Sequence, residues 1–147
     1  MGIGKAFLNM IITFFSLVIM PLYGVQYVRS IGIYILNFDS QTIIIMGGIV
    51  AVLTLLSSLA KEEAGAVLTF IKSLASAYYS YVTLNMFTWF IYRTEQAYAE
   101  LVINWGLWLY LVIAITIISG IAGSLGKLAE KEKKKEEKEE EEEEEEE

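Results

Sequence analysis

Lys72 is the residue whose type and position most directly suggest chemistry, because it is a single charge inside a long, largely apolar stretch, Ala64–Tyr92. An ionisable group at membrane depth is by default a candidate functional residue. Three roles are open for it: its long stem can extend to the lipid headgroups, its ammonium group can pair with Glu62 or Glu63, or its charge can act in transport or gating. The sequence contains no histidine and has no carboxylate at the same depth, so we expect no proton relay.

Small residues recur at helical spacing in the same stretch and again near the end of the apolar sequence. The candidates for close helix packing are Ser73, Ser76, Ala77, Ser80, Gly120 and Gly123. Small residues four positions apart let the backbones of membrane helices approach each other closely. Three interpretations are open: packing within one bundle, self-association between copies, or a polar pore lined by the hydroxyl-bearing face.

The residue types that most enzymes need are missing. There is no cysteine and no histidine, which removes thiolate chemistry and the commonest metal ligand. No nucleophile elbow, phosphate-binding loop, dinucleotide fingerprint or zinc-protease motif is present. The sequence therefore predicts no catalytic, cofactor or metal site and a protein that is not an enzyme. A body of zero formal charge with an acidic end also argues against nucleic-acid binding.

The distribution of charge separates the chain into two parts. Residues 127–147 contain 6 lysines and 13 glutamates, whereas residues 1–126 contain 5 basic and 5 acidic residues. Uncharged runs in the first part are close to or longer than the roughly 20 residues that cross a bilayer. We therefore expect an all-α membrane protein: a four-transmembrane-helix bundle over residues 1–126 and a charged tail over 127–147. The predicted helices are residues 6–28, 41–60, 64–92 and 101–126.

Local signals refine this arrangement. Pro21 removes a backbone donor inside the first helix, which predicts a kink. Asp39 and Ser40 are candidate N-caps of the second helix, and the short Lys61–Glu63 link predicts an antiparallel hairpin between the second and third helices. The apolar segment Arg29–Ser40 is too short to span a membrane, so we expect it to be interfacial or partly re-entrant.

The lysine distribution predicts the orientation. Lys5, Lys61 and the six tail lysines fall on one side, whereas Arg29 and Arg93 fall on the other. The positive-inside rule places both termini in the cytoplasm of a multi-pass cell-membrane protein. Nine tyrosine, tryptophan and phenylalanine residues fall toward the outer side, either as an interfacial belt or as a partner surface. In the tail, Glu139–Glu147 is expected to be disordered because like charges repel and nothing apolar can be buried.

Taken together, these features favour a non-enzymatic structural or accessory subunit of a larger membrane assembly. The expected partners are the lipid bilayer and either other membrane subunits or copies of the chain itself. The alternative is a homo-oligomeric channel, transporter or translocation-pore component, which would use the hydroxyl-rich third helix and Lys72. Hydroxyl groups paired within the protein would favour the subunit, whereas a wetted path past Ser76, Ser80 and Thr83 would favour the pore.

Overall fold

The computed structural model describes residues 2–146, which are mostly helical (79%). Four helices, numbered here in chain order, comprise Ile3–Ser30 (α1), Ser40–Leu59 (α2), Glu62–Met86 (α3) and Gly106–Glu146 (α4). Three short strands, Ile33–Ile35 (β1), Trp89–Arg93 (β2) and Tyr98–Val102 (β3), form an antiparallel sheet in the order β1–β2–β3. The fold is thus helical with a small sheet, not all-α as predicted.

Three of the helices in the described part of the chain, α1, α2 and α4, are long and apolar enough to cross a membrane. The remaining helix, α3, has sufficient length with 25 residues. Its hydroxyl-bearing residues, its tyrosines and its three charged residues make it less apolar than the other helices. Three helices, rather than the predicted four, therefore have the composition of a membrane span.

Successive helices pack side by side: α1 against α2, α2 against α3, and α3 against α4, which share the largest helix interface. The buried hydrophobic cluster at the centre consists of Ile43, Val50, Tyr79 and Met86. Helix α3 lies between α2 and α4, so the least apolar helix is also the one most enclosed by protein. Helices α1 and α4 are peripheral, and only 11% of the apolar window of each is buried.

A proline inside α1 is accommodated by a local change of helix type. Pro21 has no N–H group, so the Leu17 carbonyl four residues earlier loses its α-helical donor. Residues Phe15–Ile19 form a π-helical turn, and the Tyr79 hydroxyl of α3 donates to the Leu17 oxygen over 2.5 Å. A Cβ atom built on Gly47 of α2 would lie 3.3 Å from the same oxygen. Three helices therefore meet where the proline interrupts the hydrogen-bond ladder.

The predicted third and fourth helices extend too far toward the sheet. Helix α3 ends at Met86 rather than at residue 92, and α4 begins at Gly106 rather than at residue 101. The chain between them forms the β2–β3 hairpin, in which the Thr94 N–H donates to the Ala97 oxygen over 2.9 Å. The run Trp89–Tyr92 is aromatic and β-branched, a composition that favours a strand once a partner strand is available.

The segment Arg29–Ser40 supplies that partner strand. Its residue Gly32 has a φ of 93°, and a Cβ there would lie 2.9 Å from the Arg93 oxygen, so the turn into β1 requires glycine. The segment ends at Asp39, whose side chain accepts a hydrogen bond from the Gln41 N–H over 3.1 Å. This confirms Asp39 as the N-cap of α2, and the segment contains a strand rather than only an interfacial turn.

The charged tail continues α4. The helix extends without interruption from Gly106 through Glu146, whereas the sequence predicted disorder over Glu139–Glu147; Glu147 itself lies outside the described residues. Glutamate is a good helix former, and a helix that is already formed in its apolar part needs no new nucleation to continue. The sequence argument gave charge repulsion more weight than this propagation.

Candidate functional site

The principal candidate site is a cleft at the end of the bundle where α2 ends and α3 begins. The cavity has a volume of about 580 Å³. Its charged walls come from the α2–α3 link, from α3 and from the part of α4 that follows its apolar sequence. Five lysines contribute to these walls, and we call this cavity the lysine cleft: Lys61, Lys72, Lys127, Lys131 and Lys134. Glu62 and Glu130 also line it, so the walls carry a net positive charge.

Lys127 holds the three helices together at this end. Its ammonium group donates to the Ser57 oxygen over 2.5 Å and to the Gly65 oxygen over 3.3 Å. The first bond places a cation at the C-terminal end of α2, where the helix dipole favours positive charge. Gly65 permits this approach, because a Cβ there would lie 2.7 Å from the Ala60 oxygen. The tight α2–α3 link also places Glu62 at a φ of 56°, in the left-handed region.

An ion pair closes one side of the cleft. The Lys131 ammonium lies 2.5 Å from a Glu63 carboxylate oxygen. This hydrogen bond and the charge of Lys131 lower the pKa of Glu63 below its ordinary value, and the same hydrogen bond raises the pKa of Lys131. Of the three roles open for Lys72, the ion pair with Glu63 is therefore not formed, because Lys131 occupies that carboxylate.

The remaining lysines of the cleft are not neutralised in this way. Lys72 is half-buried, and within the part of the chain that the structure describes no carboxylate lies at ion-pair distance from it. Lys127 follows the predicted span of α4 directly, and its pKa is lowered first by burial and then by the positive charge of Lys72, which Glu130 opposes. Two ammonium groups therefore repel each other across the cleft.

The interface between α3 and α4 is built from small residues. A Cβ atom built on Gly120 would overlap the Ser73 side chain, and one built on Gly123 would lie 3.2 Å from Thr69 Cγ2. The Ser124 hydroxyl donates to the Ala66 oxygen over 2.9 Å. These contacts bring Ser73 and Gly120 together, and they place both glycines against α3 of the same chain.

The other predicted packing residues of α3 are placed differently. Ala77 is buried, whereas Ser76 and Ser80 are half-buried. The Ser76 hydroxyl donates to the Lys72 oxygen over 2.8 Å, and the Ser80 hydroxyl donates to the Ser76 oxygen over 3.0 Å. The two hydroxyl groups therefore bond to the backbone of their own helix. On α4 a second small-residue face remains unused, since a Cβ on Gly126 would meet nothing within 4 Å.

The opposite end of the molecule carries the sheet. The Trp105 indole N–H donates to the Phe87 oxygen over 2.6 Å, which ties the start of α4 to the end of α3. Every residue of β3 is exposed, and its outer edge has no partner strand in the described structure. The apolar side chains Leu101 and Val102 are 57% and 67% exposed, so this edge presents both backbone and apolar groups.

The sequence argument missed the two residues that organise the cleft, Lys127 and Lys131, because it assigned the whole tail to solvent. A signal was available: Gly120, Ser124, Lys127 and Lys131 recur at spacings of three and four, which places them on one face of a helix. The face that packs against α3 therefore continues past the apolar sequence. Extending the helix by three turns would have brought these lysines beside the start of α3.

Within residues 2–146, no group of three or more histidine, cysteine, aspartate or glutamate side chains is placed to hold a metal ion. Comparisons with protein-family models, curated proteins and solved structures found no match to the chain. The argument for function therefore depends on the chemistry of the chain's own surfaces.

Proposed function

We propose that the chain is a small polytopic integral membrane protein that acts as a non-enzymatic structural or accessory subunit of a larger membrane assembly. In this proposal all four helices cross the membrane as a bundle, with α3 as the enclosed fourth span. Both termini are cytoplasmic, so the lysine cleft faces the cytoplasm and the sheet faces outward. The partners are other membrane subunits or further copies of the chain.

The observation that carries the proposal is the pairing of hydroxyl groups inside the helices. In addition to Ser76 and Ser80, Thr69 donates to the Gly65 oxygen over 2.7 Å and Thr54 donates to the Val50 oxygen over 2.8 Å. The Thr83 hydroxyl oxygen is enclosed by protein. Groups that are satisfied by backbone or enclosed do not line a wetted path, and this arrangement favours a packing role for α3 over a pore-lining role.

The exposed surfaces support an assembly role. An unpaired strand edge in an aqueous region is a template for pairing with another chain, and monomeric proteins usually shield such an edge. Strand β3 carries only one charged residue, Glu100, and no proline, so it has little of this protection. A partner subunit that covers this edge would satisfy its backbone groups and bury Leu101 and Val102.

The alternative function, a homo-oligomeric channel, transporter or translocation-pore component, is favoured by one observation. Lys72 carries a charge near one end of α3 that no carboxylate neutralises among the described residues. A lone charge near a pore mouth sets the local field. Flux measurements on the reconstituted protein separate the two functions: measurable flux that changes in Lys72→Gln would favour the channel, and an absence of flux in both proteins would favour the subunit.

A variant of the exposed edge tests the subunit role directly. We expect Leu101→Lys to reduce recovery of a stoichiometric partner in mild detergent, because it places a charge in the contact that the partner would cover. Glu132→Lys is the matched control, since it introduces the same side chain at an exposed position of the tail. Equal recovery of the same partner from both variants would exclude the β3 edge as the docking surface.

The orientation has an independent test. The chain has no cysteine, so single cysteines can be introduced without background. In intact cells, Asp39→Cys and Glu95→Cys should react with a membrane-impermeant maleimide, whereas Glu62→Cys should not. The reverse labelling pattern would show that the lysine cleft faces outward.

A further inference from the structure

The lysine cleft contains more positive charge than the protein itself neutralises. Glu63 is engaged by Lys131. The two carboxylates that line the cavity, Glu62 and Glu130, face five lysines. A net positive cavity of this size has room for an anionic group and gains from binding one, because the ammonium groups then repel each other less.

The position of the cleft along the bundle indicates where such an anion would come from. Lys127 comes directly after the apolar part of α4, and Ser57 lies in the last turn of α2, so the cleft lies where apolar helix surface gives way to charge. Lys72 is ten residues into α3, about 15 Å along the helix axis. Its side chain leans toward the N-terminus of the helix, and therefore toward the mouth of the cleft.

The surroundings favour a lipid over a free ion. Beside the charged walls, the exposed surfaces of α3 and α4 are apolar: Val67 is 58% exposed and Leu125 is 60% exposed. Acyl chains can lie along such side chains while the headgroup enters the cleft. The acidic end of the same chain does not reach the cavity, because α4 is continuous and carries Glu139 about 18 Å beyond Lys127.

We propose that the lysine cleft binds the phosphate of an anionic lipid headgroup, held by the ammonium groups of Lys72, Lys127 and Lys134. Each ammonium group offers up to three donors without a fixed geometry, which suits a phosphate that enters from the membrane. Basic pockets between transmembrane helices on the cytoplasmic side are a known form of lipid-headgroup site. The bound lipid would reinforce the junction of α2, α3 and α4.

The test uses the full chain in nanodiscs that contain equal amounts of phosphatidylglycerol and phosphatidylcholine, followed by native mass spectrometry of the retained lipids. Wild type should retain phosphatidylglycerol preferentially. Lys72→Gln should reduce that preference about fivefold, the effect expected from one lysine near an anionic surface. Lys72 donates no side-chain hydrogen bond to another described residue, so this variant should fold. Lys5→Gln is the matched control, since it removes an exposed lysine near the same membrane face.

Lys127→Gln is the second variant and should reduce the preference at least as much, with circular dichroism used to verify that the helices form. Two results would overturn the proposal: equal retention of the two lipids by wild type, or an equal effect of Lys5→Gln and Lys72→Gln. A separate arm adds inorganic phosphate to the protein in lipid-free detergent. Binding of inorganic phosphate as tight as that of phosphatidylglycerol, and lost in Lys72→Gln, would assign the cleft to free phosphate and overturn the lipid assignment.

Discussion

The contact between Gly120 and Ser73 predicts a sharp dependence on a single methyl group. In Gly120→Ala the new Cβ would overlap both the Oγ and the Cβ atoms of Ser73, while the Ser73 Cα would lie 3.7 Å away. Both residues are buried in the α3–α4 interface. The overlap therefore has to be relieved by moving the two helices apart, since the obstructing atoms are a short side chain attached directly to the backbone.

The expected magnitude combines two opposing effects. Overpacking of a well-packed contact costs about 1–3 kcal/mol, whereas replacing glycine with alanine in a helix contributes up to about 1 kcal/mol of stability. We expect Gly120→Ala to lower the free energy of unfolding by about 1–2 kcal/mol. Gly126→Ala is the matched control, because a Cβ there meets nothing within 4 Å, and it should leave stability unchanged or raise it by up to about 1 kcal/mol.

A double-mutant cycle locates the cause. Ser73→Ala removes only the hydroxyl and leaves the overlapping Cβ, whereas Ser73→Gly removes both atoms. In the Gly120→Ala background, Ser73→Gly should therefore restore stability and Ser73→Ala should not. The assay is unfolding in mixed micelles by titration with sodium dodecyl sulfate, followed by circular dichroism. Equal destabilisation by Gly120→Ala and Gly126→Ala, or equal rescue by the two Ser73 variants, would refute the close approach of α3 and α4.

Three further predictions concern single contacts. Tyr79→Phe should cost about 0.6–1.7 kcal/mol in the same unfolding assay, and the loss should be smaller in a Pro21→Ala background, where a backbone N–H can again serve the orphaned carbonyl; an unchanged loss would contradict this pairing. The lowered pKa of Glu63 means that its pair with Lys131 stabilises the folded state above the ordinary pKa of 4.5 and stops doing so as the pH falls through the lowered value. The difference in unfolding free energy between wild type and Glu63→Gln should therefore be present at pH 7 and disappear in acid, whereas a difference that persists at pH 2 would exclude the ion pair as its source. Deletion of Glu139–Glu147 should leave membrane insertion and stability nearly unchanged, as measured by fractionation and the same titration, because exposed glutamates bury nothing; loss of the protein from the membrane would contradict this.

The helical body was predictable because its signals are local. Long uncharged runs predict apolar helices by length alone, and Asp39 predicts the start of α2 through its own side-chain chemistry. The bounds of α2 differ from the prediction by one residue at each end. Helix ends were less accurate where tertiary pairing decides them: Trp89–Tyr92 is compatible with a helix until β1 and β3 provide strand partners.

The candidate site was harder to predict because it depends on contacts between distant residues. The sequence identifies Lys72 as an unusual charge, but the ion pair between Glu63 and Lys131 joins residues 68 positions apart. The same is true of Tyr79 and Leu17, which are 62 positions apart. Pro21 indicates that a carbonyl will lack its donor, but only the packing of α3 on α1 determines which group replaces it.

The most direct test of an accessory-subunit role is the composition of the complex that contains the chain. The chain should be extracted from its native membrane in a mild detergent, and the intact assembly weighed by native mass spectrometry. The account predicts a discrete complex in which the chain is present in fixed stoichiometry with at least one different membrane polypeptide. A mass that corresponds to the chain alone, or only to a ring of its own copies that conducts ions, would contradict it.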